Sequence, residues 1–145
     1  MQESSKQAVL QYLRTRSFRS VLDAPSGNAW LPRALGGTAE MDGVDLYVDG
    51  RAHYRRFWRH DLDEGLPEDS SGYDAACCCE GLAYLGNPLA LLRHFFRSLS
   101  PEGFLVITTP NVWYPQARLQ FWWRGFFPSF PPLADRIKPG TPMHI

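Results

Sequence analysis

An acid at the end of an apolar run, a small-residue turn behind it, and a second acid on another apolar segment are this chain's best means of holding a nucleoside. Val21-Leu22-Asp23-Ala24-Pro25-Ser26-Gly27-Asn28-Ala29 reads as a buried strand over 20–24, a tight turn at Pro25-Ser26-Gly27, and the opening of a helix. A turn of small residues lets a ligand approach the backbone closely, and a helix N-terminus behind it presents free N–H donors. Asn28 is the expected N-cap of that helix, which runs through Trp30, Leu31, Ala34 and Leu35. Pro32 falls in its first turn, where an N–H has no intrahelical partner. Further along, Gly43-Val44-Asp45-Leu46 is an apolar segment ending in an acid. Set on a neighbouring strand end, the Asp45 carboxylate can accept both hydroxyls of a ribose, as the acidic residue of dinucleotide folds does.

Placing these groups side by side takes alternating strands and helices. Ala8, Val9, Tyr12 and Leu13 at helical spacing predict a first helix over 5–16. Tyr47 to His53, with a turn at Asp49-Gly50, leaves little room for a full crossover helix. Tyr54 to Asp61 reads as a third strand, and Asp61-Leu62-Asp63-Glu64-Gly65-Leu66-Pro67 as the acidic loop leaving it. Tyr73-Asp74-Ala75-Ala76-Cys77-Cys78-Cys79-Glu80 is a nearly continuous run of small apolar residues, suited to a central strand buried on both faces of a parallel sheet. Asn87 as cap and Pro88 at the first helical position open a helix through Leu91, Phe95 and Leu99. Ser100-Pro101-Glu102-Gly103 is the turn expected to stop it, and 104–109 a fifth strand closed by Pro110-Asn111. The pattern is that of a Rossmann-like α/β three-layer sandwich with a mostly parallel sheet. Beyond it, Phe121, Trp122, Trp123, Phe126, Phe127 and Phe130 crowd among prolines, which predicts a short helix and then an irregular segment. Residues 1–112 are thus expected to form the ligand-binding unit, and 113–145 an aromatic and proline-rich segment of the same domain.

A chain of 145 residues makes one domain with room for one site. Fifteen basic and fifteen acidic side chains cancel, so no global field draws it to nucleic acid, and a small ligand is expected. Cys77, Cys78 and Cys79 are adjacent and have no remote cysteine to pair with, which fits a reducing cytoplasm. The N-terminus lacks the apolar stretch of a signal peptide, and the uncharged run from Gly103 to Ala117 is interrupted by prolines and too short to span a bilayer. A soluble, cytoplasmic protein is the expectation. The histidines His53, His60, His94 and His144 are scattered and predict no metal site.

In order and kind, these motifs resemble the class I S-adenosylmethionine-dependent methyltransferases, over about residues 18 to 112. The resemblance implies S-adenosylmethionine as cofactor and a sheet order of 3-2-1-4-5. It assigns Asp23, Pro25, Ser26 and Gly27 to the glycine-loop signature around the amino-acid part, and Asp45 with Leu46 to the ribose. Asp61 and Leu62 would meet the adenine, and Cys79 and Glu80 would floor the site near the sulfur. Ser100 to Ile107 resembles the family's Lys-Pro-Gly-Gly turn and fifth strand. Pro25 and Ala29 stand where the family usually has its first and third glycines, and Tyr84 where many relatives carry histidine. An antiparallel hairpin usually completes the family's sheet edge, and none is expected before Ile145.

Methyl transfer from a sulfonium demands alignment and exclusion of water more than a triad of catalytic groups. A hydroxyl acceptor would gain from a general base, for which Glu80, Tyr84 and His144 are the candidates. The acceptor class is a small molecule or a lipid-like compound. The alternative is a catalytically degenerate or truncated relative acting as a binding module, with an unpaired fifth-strand edge available for a dimer. A nicotinamide dehydrogenase is disfavoured, because 25–29 does not supply G-x-G-x-x-G. Arg51, Arg55, Arg56 and Arg59 among Tyr54, Phe57 and Trp58 read as solvated arginines of an edge strand rather than as an RNA-binding stripe. Three roles are open to the terminal aromatics: covering the core, which is favoured, closing over an acceptor, or touching a membrane surface.

Overall fold

The computed structural model describes residues 1–128. The apolar runs become β1 (Ser20–Asp23), β2 (Glu40–Val44), β3 (Arg56–Trp58), β4 (Tyr73–Cys79) and β5 (Leu99–Thr108). They form one sheet in the order β3-β2-β1-β4-β5, and each pairing in it is parallel. The helices are α1 (Glu3–Arg14), α2 (Trp30–Leu35), α3 (Pro88–Ser98) and α4 (Pro115–Arg124). None of the described helices is long and apolar enough to cross a membrane.

Alternation along the strands sorts the core into two clusters. Val21, Ala75 and Cys77 pack with Val9, Leu13 and Leu31 from α1 and α2. Leu22, Ala76 and Cys78 pack with Leu91 and Phe95 from α3. Successive strand residues point to opposite faces, so β1 and β4 are filled on both sides, as their lack of polar alternation requires. The cysteines serve here as small apolar side chains: Cys77 and Cys78 are fully buried, and burial pushes the Cys78 and Cys79 thiols up to about 12. Asn87 caps α3 as expected, its side chain accepting the Ala90 N–H at 3.1 Å.

Four local expectations are corrected. The residue before α2 is Ala29, not Asn28, and it sits in the left-handed region (φ 54) with no side-chain cap bond. Its methyl is buried against the sheet cluster while Asn28 faces solvent, so packing outweighs capping propensity there. β3 is three residues long rather than eight. Tyr54 turns inward beneath Gly43, and Arg59 leaves the strand to donate to the Leu46 carbonyl. Ser100 to Gly103 does not separate α3 from a later strand, because β5 already begins at Leu99, with a register irregularity opposite 73–75. A side chain at Gly103 would meet the Tyr73 carbonyl at 2.8 Å, which is why the irregular stretch ends on glycine.

The arginines of the β3 edge are the fourth. Arg55 and Arg56 converge on Asp42 of β2, which is fully buried, with N–O distances of 2.7 and 2.8 Å, and Tyr73 donates to the same carboxylate at 2.7 Å. Burial alone would raise the Asp42 carboxyl, but the hydrogen bonds from Arg55, Tyr73 and Arg56 hold it at about 2. These arginines fasten the edge strand to the sheet. Parallel pairing in the register Asp42↔Arg56 makes this contact.

Candidate functional site

A crevice lies outside the carboxyl ends of the strands, where the chain order reverses between β1 and β4, the usual ligand position in open α/β sheets. Pro25 and Gly27 of the β1 turn, Asp45 and Leu46 after β2, and Asp61 and Leu62 of the loop after β3 line one cleft of about 280 Å³. The sequence thus brings three separate strand ends to one place. Tyr84 belongs to this cleft and to an adjoining one of about 640 Å³, lined also by Glu80, Thr109, Asn111, Gln2 and Tyr114. A further hollow of about 710 Å³ sits at the opposite ends of the strands. Its Asp74 is already engaged by the Arg19 and Ser20 N–H groups at 2.7 and 3.2 Å. Size therefore does not decide the site; topology and the acids do.

The turn is tied to the strand beside it. The Ser26 N–H donates to the Val44 carbonyl at 2.9 Å, and the Gly27 N–H to Asp45 Oδ2 at 2.8 Å. The expected free N–H donors of this turn are therefore partly spent within the fold. Asp45 Oδ1 accepts from the Tyr47 and Val48 N–H groups, both at 2.9 Å. A carboxylate offers about four lone-pair sites, so with three taken Asp45 keeps acceptor capacity on the Oδ2 side. Gly27 is in the left-handed region (φ 51), and a side chain there would meet nothing within 4 Å, so open space lies over the turn. His60 also lines the cleft, with its Nε2 buried and without a hydrogen-bond partner.

Asp23 and Ser26 lie beneath the turn, fully or almost fully buried, rather than in the cleft wall. Cys79 is half-buried at the end of β4, and Glu80 follows it in the left-handed region (φ 57), facing the larger cleft. The Glu80 carboxylate pairs with the Met1 ammonium at 3.0 Å. Burial, with the Glu80 charge beside it, raises the Tyr84 hydroxyl, which therefore keeps its proton at neutral pH. His144 and Phe130 lie outside the described residues. His60, Tyr47 and Gly81 were missed by sequence reasoning. Adjacency was the available signal for each: His60 precedes Asp61, Tyr47 follows Leu46, and Gly81 follows Glu80 in the stretch matched to the end of the central strand. The expected aromatic cover of the core is not formed among the described residues. Trp113, Trp122 and Trp123 are 76%, 78% and 79% exposed, and the residue α4 buries is Ala117.

A family model described as a methyltransferase domain matches residues 1–134 of the chain. The chain belongs to the methyltransferase-domain family. Its sheet order is that of the class I S-adenosylmethionine-dependent members. A solved S-adenosylmethionine dependent methyltransferase from Mesorhizobium loti is 26% identical, with a TM-score of 0.53 over 64% of this chain and 47% of that one. A 1,6-didemethyltoxoflavin-N1-methyltransferase from Burkholderia thailandensis, solved with 1,6-didemethyltoxoflavin and S-adenosylhomocysteine, shares the fold. It is 21% identical, with a TM-score of 0.56 over 69% of this chain and 48% of that one. The DhpI–SAH complex is 23% identical, with a TM-score of 0.60 over 72% of this chain and 56% of that one. The chain spans about half the length of these solved methyltransferases. No curated protein matches it.

Proposed function

We propose that this methyltransferase domain binds S-adenosylmethionine in the cleft between Gly27, Asp45 and Asp61 and presents its methyl group to an acceptor held beside Glu80 and Tyr84. The observation that carries this reading is the convergence of those three strand-end residues on one cleft. Open space over Gly27 and the unpartnered His60 Nε2 fit a ligand there better than a closed structural turn. The cleft falls just short of the about 300–1,000 Å³ usual for ligand pockets, and the adjoining cleft extends it past Tyr84.

Bound S-adenosylmethionine supplies a methyl group on a sulfonium, already activated for in-line displacement by a nucleophile. The residues of the chain bind and orient. The turn at Pro25–Gly27 would hold the amino-acid part, Asp45 Oδ2 the ribose hydroxyls, and Asp61 with His60 the adenine side. Cys79 lines neither cleft and would contribute to the floor from behind Glu80. Polar groups on Gln2, Ser5, Glu80, Thr109 and Asn111 line the second cleft, which favours a small polar acceptor over a lipid-like one. Of the base candidates, Tyr84 is a proton donor at neutral pH, and Glu80 is the carboxylate placed to take a proton. We place the cofactor unit in residues 1–112 and the acceptor side against residues 109–114.

Calorimetric titration with S-adenosylmethionine, S-adenosylhomocysteine and NADH tests the reading. Binding of the first two and not the third is expected. Asp45→Ala, which removes the ribose acceptor and frees the Gly27, Tyr47 and Val48 N–H groups, is expected to cut affinity at least about 30-fold, or roughly 2 kcal/mol. Unchanged affinity would contradict the site.

A further inference from the structure

Beneath the turn lies a buried polar pair that the reading above does not use. Asp23, the last residue of β1, is fully buried, and its Oδ2 accepts the Tyr54 hydroxyl at 2.6 Å. Its Oδ1 and the nearby Ser26 Oγ have no partner. Tyr54 comes from the segment before β3, and its ring fills a slot cut by two glycines. A Cβ on Gly43 would come within 2.8 Å of the ring, and one on Gly50 within 3.0 Å. Side chains are absent from both positions, and the result is one hydroxyl delivered to one carboxylate.

The titratable groups that act on Asp23 are Tyr54, Asp45 after β2, and Cys77, Cys78 and Cys79 of β4. None of them is a cation. Burial keeps the three thiols protonated, and burial with the Asp23 charge keeps Tyr54 protonated, so Tyr54 acts only as a donor. Buried carboxyls lose their charge unless a donor holds it. We propose that Tyr54 is a positioning residue for cofactor binding, holding Asp23 as a buried negative charge beneath the turn where the cationic amino-acid end of the ligand rests. This rests on the cofactor assignment made above.

Burial pushes the Asp23 carboxyl up to about 7, the Tyr54 bond works against that rise, and the Asp45 charge adds to it. The site charge therefore changes across the neutral range. Affinity for S-adenosylhomocysteine, which carries the α-ammonium, is expected to rise with pH as Asp23 ionises. Tyr54→Phe keeps the ring in its slot and removes the donor.

Two measurements on the full chain test this. In the ligand-free protein, the carboxyl carbon shift of Asp23 followed by NMR should titrate about one pH unit higher in Tyr54→Phe than in the parent. In calorimetry the variant should bind S-adenosylhomocysteine about fivefold more weakly at pH 7, as the ionised fraction of Asp23 falls, and recover as pH is raised. Where Tyr54→Phe does not fold, Asp23→Asn should give weakened, pH-independent binding. Equal titration midpoints and affinities in parent and Tyr54→Phe, or a retained pH rise in Asp23→Asn, would overturn the proposal while leaving the cofactor reading in place. Absence of binding by the parent would overturn the cofactor reading and, with it, this proposal.

Discussion

Asp23 and Asp42 are both strand aspartates with no exposed surface, yet they stand at opposite extremes of chemistry. Asp42 is ringed by Arg55, Arg56 and Tyr73 and held at about 2, whereas Asp23 has one hydroxyl donor and is pushed up to about 7. Buried carboxylates usually survive by being paired, and an arrangement that leaves one unneutralised beside a ligand cleft points to use rather than support. The first fastens the edge of the sheet; the second lies under the turn where the ligand is proposed to sit.

Asp42→Asn breaks the fastening side of this contrast, and the largest loss of stability is expected from it. Because Arg55 and Arg56 are 45% and 43% exposed and can return to water, the cost is discounted to about 2–4 kcal/mol, read as a lower denaturant midpoint. The Asp42 contribution should be fully present above the unfolded carboxylate range near pH 4 and lost as pH falls through about 2.

Asp23→Asn tests the other side, and its effect on stability has the opposite sign. With a folded value of about 7 against an ordinary 3.8, the native state holds a proton that the unfolded chain has released. Stability therefore falls as pH rises from about 4 to about 7. Removing the charge is expected to stabilise the fold at pH 8 by about 2 kcal/mol, less than the full shift implies at about 1.4 kcal/mol per unit, because the amide is also buried. If both aspartates proved destabilising to the same degree, the contrast would fail. Trp122→Ala, on an exposed face remote from either aspartate, should move stability by no more than about 0.5 kcal/mol, which sets the scale for the other two changes.

Much of this was legible in the chain. Small apolar residues at 73–79 and the cap at Asn87 marked β4 and α3, and the acids at 45 and 61 marked the segments after β2 and β3, which do meet in one cleft. The Asp42 cluster was hidden because it depends on parallel register between β2 and β3, which residue types do not encode locally. Tyr54 looked like a strand residue, and only the space left by Gly43 and Gly50 shows that it turns inward. Hydrophobicity suggested that the α4 aromatics cover the core, yet the helix is anchored through Ala117 and leaves its tryptophans outside.

A crystal structure of this chain grown with S-adenosylhomocysteine tests the cofactor site most directly. The ribose is expected within hydrogen-bond distance of Asp45, the adenine beside Asp61 and His60, and the amino-acid end over Pro25–Gly27. Ligand bound elsewhere, or bound with its ribose away from Asp45, would contradict this assignment.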